Sequence, residues 1–241
     1  MADFRTIKYQ GSIFTPDLVL SNYFKLTTII LELLGDKLQA NPVMLPIPQD
    51  APADIPRIQL CSLDNKWNLN LSLARTDLIF LEPSVESEIE VTEIEFCEIC
   101  NNFFSSYRDR LELRVQRLAF VTERLSPQDH ASTYIINKFC KRSLTKKGKP
   151  FHDINKFEIH SMKTYDWENY HLNSWVRIKS LEFNEDNKVV PILFIQNDLN
   201  TLSLEKDQER DFSREEIGNF FQKIPSHLQH ILRIYDFDFN N

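Results

Sequence analysis

Cys97 and Cys100 are separated by two residues in "EFCEIC", and His227 and His230 repeat that spacing in "HLQHI". Two thiolates and two imidazoles make a donor set for tetrahedral zinc, and an i, i+3 pair projects both ligands from one face of a helix. The first pair has a simpler reading, because both thiols fall on or beside an apolar helical stripe, where cysteine packs as a small hydrophobe. Between Glu82 and Glu98 lie seven acids and no Lys or Arg, a run that could hold a metal through carboxylates. Glu93 and Glu95 more simply complement the positive end of a helix. A metal-dependent hydrolase or nuclease is therefore an alternative reading for which no metal ligand is assigned.

The opposite charge gathers in "KFCKRSLTKKGK", residues 138–149, where Lys138, Lys141, Arg142, Lys146, Lys147 and Lys149 occur with no acid among them. With 28 Lys and Arg against 35 Asp and Glu, the formal charge is -7, so no general field draws in nucleic acid or an anionic membrane. Phosphate or an acidic partner would have to be held locally, by this segment and by Arg177 and Lys179 of a strand further on. A nucleic-acid-binding protein is the second alternative.

Other chemistries have no residues to carry them. The four glycines, Gly11, Gly35, Gly148 and Gly218, never cluster, so neither a GxGxxG turn nor a phosphate-binding loop can be formed. GxSxG and HExxH are absent as well. Arg124 and His130 have a spacing similar to that of HEPN-type ribonucleases, but the intervening "LSPQD" places the arginine ahead of the helix and breaks that geometry. No catalytic residue and no cofactor is expected.

The elements that must position these residues alternate in type. A strand near residues 7–14 leads to Thr15-Pro16-Asp17, a cap followed by a proline at the first helical position, and Gly35 is a plausible stop. Prolines 42, 46, 48, 52 and 56 never take the three-residue step of a PxxP ligand, so they form an extended connector into a meander. Ile58 and Leu60, then Trp67, Leu69 and Leu71, alternate with polar neighbours around an Asp64-Asn65-Lys66 turn, and the phase slips at Ala74-Arg75. Thr92 and Glu95 form a capping box for a helix bearing Phe96, Cys100, Phe103 and Tyr107. A strand over 118–125, a Ser126-Pro127 cap, three strand runs with an Asp186-Asn187-Lys188 turn, and a Ser213/Glu216 capping box repeat the same order, with Pro225 expected to kink or restart the last helix.

The expected fold is α+β, a single domain over 1–241 with an antiparallel sheet and helices packed on one side. Its two halves, 1–115 and 116–241, each read strand, helix, three strands, helix. That order resembles duplicated sheet-and-helix folds of the saddle type. "LPIPQDAPADIPRIQLCSLDNKWNLNLS", "RTDLIF" and "FIQNDLN" ahead of a capped helix ending in "HLQHIL" resemble a sporadically distributed, uncharacterised bacterial family of about this length. The family has no assigned activity to carry over. Its patchy distribution implies mobile genes, and with them a role in phage defence or toxin neutralisation.

The opening "MADFRTIKYQ" has no secretory pattern, and the most apolar stretch is interrupted by Asn22, Lys25 and Glu32. Four cysteines form no disulfide framework, and a cytoplasmic location follows as the expectation. The leading functional expectation is a non-catalytic recognition or accessory module. It would bind a protein partner, or its own copy as a homo-oligomer, through its sheet or an exposed strand edge, with no membrane involved.

Overall fold

In the computed structural model, which describes residues 4–20, 22–48, 50–82, 90–167, 170–185, 188–201, 210–235 and 237, the alternating segments pair into one nine-stranded antiparallel sheet. The first half comprises β1 (Arg5–Phe14), α1 (Tyr23–Leu34), β2 (Val43–Met44), β3 (Ile58–Cys61), β4 (Trp67–Leu71), β5 (Arg75–Leu81) and α2 (Glu93–Leu111). The second comprises β6 (Arg117–Pro127), α3 (Ala131–Phe139), a 3-10 turn (Arg142–Leu144), β7 (Glu158–Trp167), β8 (Tyr170–Glu185), β9 (Lys188–Thr201) and α4 (Arg214–Ile234). Across the sheet the order is β2-β3-β4-β5-β1-β6-β9-β8-β7. The sequence β3, β4, β5, β1 on one side is answered by β7, β8, β9, β6 on the other, so the order is symmetric about the β1–β6 pair. Symmetry of order is a weaker property than superposition of the halves, and the duplication remains a proposal.

Helices pack on one face because one side chain in two along each strand is apolar and meets them. Tyr9 and Ile13 of β1, Leu78 and Phe80 of β5, Leu118 and Phe120 of β6, and Ile195 and Leu199 of β9 all enter a core filled by Phe96, Phe103 and Phe104 of α2 and Phe220 and Phe221 of α4. Each such phenylalanine contributes about 2–3 kcal/mol of burial. Gly11 of β1 faces Cys100 and Phe104 of α2 and Phe221 of α4. A Cβ there would fall 2.5 Å from Cys100 Sγ and 3.2 Å from Phe104, so the contact requires glycine.

Both capping boxes form as the sequence indicates, Thr92 with Glu95 and Ser213 with Glu216. The Asp64-Asn65-Lys66 turn is present, with Asn65 at φ 61; Asp186 and Asn187 of the other turn lie outside the described residues. Two expected helix starts are corrected. Thr15 is fully buried and its N–H bonds to Ala74 O, which carries the sheet ladder one step past Phe14; the helix begins only where Asn22 Oδ1 accepts from Lys25 N. Ser126 and Pro127 belong to β6, opposite Leu193 and Ile192, and α3 starts after His130 with no side-chain cap. In each case ladder bonds took a residue whose type suited a cap. Pro225 neither stops nor restarts α4, which runs through it.

The two sheet edges differ. On β2, Leu45 N bonds to Arg57 O and Val43 pairs with Gln59, so alternation turns positions 42, 44 and 46 outward. Two of these are prolines, which have no N–H to offer another strand. The β7 edge carries Glu158, His160, Lys163 and Asp166, charges that discourage pairing with a further strand.

Candidate interaction face

Opposite the helices the sheet presents a second set of side chains. Register aligns Met162, Trp175, Asp198, Val121, Gln10, Ile79 and Asn68 in one row across seven strands. Met162 is 50% exposed, and Trp175, Val121 and Ile79 are part-exposed. The row is four apolar and two uncharged polar groups, with Asp198 its single charge.

Around that row the charges are matched. Lys8 Nζ lies 3.2 Å from Glu123, Arg177 Nη1 3.5 Å from Asp198, Lys179 Nζ 3.5 Å from Glu158, and Arg75 Nε 2.9 Å from Asp77. Hydrogen bonds extend these pairs: Gln196 Nε2 donates to Glu123 and its carbonyl oxygen accepts from Arg177, while Ser12 Oγ donates to Asp77 at 2.6 Å. Arg177 also lies 5.5 Å from the Trp175 ring. With these four cations paired, the row's surroundings have little surplus charge to condense on a phosphate backbone.

The eight residues proposed from sequence fall into two sets. Arg177 and Lys179 lie on this face, each already paired. Lys138, Lys141, Arg142, Lys146, Lys147 and Lys149 lie on the stretch from α3 to β7, where Lys138 Nζ sits 5.0 Å over the Phe237 ring. Among the described residues no acidic group pairs with Lys141, Arg142, Lys146, Lys147 or Lys149, and all five are exposed.

The metal readings gain no geometry. Among the described residues no group of three or more His, Cys, Asp or Glu could hold an ion; residues 83–89, part of the acidic run, lie outside them. Cys97 and Cys100 are buried in the core, and burial pushes both thiols well above their ordinary range. His227 instead packs edge-on against Tyr165 and Trp167 at 4.6 and 5.0 Å, and burial, with His230 beside it, lowers its pKa to about 4. Cys97, Cys100 and His227 thus act as packing groups, and His230 is exposed.

On the helix side, Arg124 donates from Nη2 to Glu93 and from Nη1 to Thr122 and, at 3.1 Å, to Asn197. Burial pushes the Glu93 carboxyl up against the pull of Arg124, and the neighbouring Tyr9 hydroxyl is pushed up to about 12, chiefly by its own burial. Sequence reasoning missed the row across the sheet and the ion pairs beside it. Their members come from seven strands, and only pairing register brings them together.

What fold and face define is an α+β protein with one side of a large antiparallel sheet left free of helices. Comparison with protein-family models and with curated proteins finds no match for the chain. Among the described residues no helix is long and apolar enough to cross a membrane.

Proposed function

We propose that the protein is a non-catalytic recognition module that binds a protein partner on the helix-free face of its sheet. The observation that carries this reading is the row from Met162 to Asn68, part apolar and part uncharged polar, flanked by ion pairs that are already closed. Around the row such a surface can be covered with its ions already paired, Arg117 at the start of β6 excepted. The face is a better candidate than the edges, because prolines blunt β2 and charges guard β7. A role in phage defence or toxin neutralisation is compatible with such a module and rests on the family resemblance alone.

The test is affinity capture from cells that express the protein, run with Trp175→Glu and separately with Lys146, Lys147 and Lys149 all changed to Glu. A stoichiometric protein lost with the first variant and kept with the second supports the reading. Salt-sensitive capture of nucleic acid, abolished by the triple reversal, would replace it with the alternative of a phosphate-binding segment over 138–149. That alternative has its own support in five exposed cations that have no acidic partner among the described residues.

A further inference from the structure

One cation on the helix-free face breaks its charge balance. Arg117 opens β6 directly opposite Phe14 of β1, and Arg75 of β5 stands opposite Phe14 on the other side. The two guanidinium groups bracket the ring, their Cζ atoms 4.8 and 5.9 Å from its centroid. Arg75 has Asp77 beside it, whereas Arg117 donates from Nη2 to the neutral Asn200 Oδ1 at 2.7 Å, with Asp198 near enough to act on its charge but not to pair with it. Among the described residues Arg117 has no carboxylate partner within ion-pair distance.

The contrast with its neighbours gives this weight. Lys8, Arg75, Arg177 and Lys179 of the same face each have an acid. Arg117 is more than half covered, and its Nε is buried without an acceptor. Burial lowers its pKa, the Asp198 charge nearby pulls it up, and the like charge of Arg75 lowers it further. A guanidinium carries five N–H donors in a planar fork suited to two oxygens, and Arg117 uses one of them.

We propose that Arg117, with Arg75 across Phe14, forms a clamp that takes one carboxylate side chain, Asp or Glu, of the protein bound on this face. The inference rests on the partner-binding reading and deepens it. A protein carboxylate fits better than a run of phosphates, because Asp77 and Asp198 flank the clamp and leave room for one added negative charge. Filling it pairs the Arg117 charge, and discriminates against a partner with a neutral or basic group at that position.

The probe is N-acetyl-glutamic acid amide, with N-acetyl-glutamine amide as the neutral control and inorganic phosphate as the competing anion, titrated into the full-length protein at constant ionic strength. The readout is the Nε–Hε resonance of Arg117 and the side-chain amide of Asn200. A saturable shift with the glutamate probe, absent with the glutamine control and lost in Arg117→Gln, is the expected result; Arg117→Lys should weaken binding severalfold, since an ammonium cannot offer the fork. No saturable shift, an equal shift with the control, persistence in Arg117→Gln, or at least tenfold tighter binding of phosphate would each overturn the clamp. Unchanged thermal melting of the two variants shows that a lost shift is not unfolding. Partner capture lost with Trp175→Glu but kept with Arg117→Gln refutes the clamp and leaves the partner reading intact; a glutamate shift with no partner captured keeps the clamp and refutes that reading.

Discussion

The guanidinium of Arg124, on β6, donates to the carboxylate of Glu93, at the start of α2, and so ties the second half of the chain to the first beneath the helices. Both side chains are largely covered, at 7% and 19% exposure, and Thr122 and Asn197 take further donors of the arginine. Removing the cation strands a buried acid. Arg124→Met should cost about 3–5 kcal/mol of unfolding free energy, read from urea midpoints at constant m. Because burial already disfavours the Glu93 charge, Glu93→Gln should cost less than half as much. Equal losses in the two variants would contradict this account of the pair.

His227 gives the fold an acid-sensitive packing contact. Its folded pKa, about 4, lies below the ordinary value of 6.5, so between those limits the unfolded chain binds the proton and the folded chain does not. The stability it contributes is complete above pH 6.5 and is lost progressively as pH falls towards 4. His227→Phe should flatten the pH dependence of the urea midpoint across that window while leaving the midpoint at pH 7.5 nearly unchanged. An unaltered slope would refute the assignment.

Gly11 and Cys100 form a coupled pair. Gly11→Ala should destabilise by about 1–3 kcal/mol through the clash with Cys100 Sγ. Adding Cys100→Ala should restore part of that loss, so the double-mutant cycle gives a favourable coupling of at least 0.5 kcal/mol. Strict additivity would place the strain elsewhere.

The two capping boxes should act independently. Thr92→Ala and Ser213→Ala should each cost about 1 kcal/mol, and the losses should add, since the caps open different helices and share no partner. The triple reversal of Lys146, Lys147 and Lys149, all exposed, should by contrast stay within about 0.5 kcal/mol of the parent protein.

How far the sequence shows the structure depends on the range of the forces involved. Capping boxes, the Asp64-Asn65-Lys66 turn and the strand alternation are local, and they formed where residue types indicated. Thr15 and Ser126 have the chemistry of caps but sit where the sheet continues, and bonds to Ala74 and to the strand containing Leu193 outweighed local preference. The candidate face lies further from view. Nothing in "RTDL" or "RLAF" shows that Arg75 and Arg117 meet across one phenylalanine, since that depends on two antiparallel registers at once. The basic segment was conspicuous because its residues are consecutive, a property that marks composition more than site geometry.

The symmetric strand order also bears on how the chain comes apart. The first strand of each half lies at the centre of the sheet, so cleavage after exposed Glu112 would leave two fragments, each ending its sheet in a long unpaired strand, β1 in one and β6 in the other. Each fragment then holds the template the other lacks, nine register pairs between those strands together with the Arg124–Glu93 bond. Produced separately, the pieces would be prone to self-pairing; produced together, they should reconstitute the sheet. The β1–β6 seam is thus a natural split point, at which assembly of the protein could be made conditional on two chains meeting.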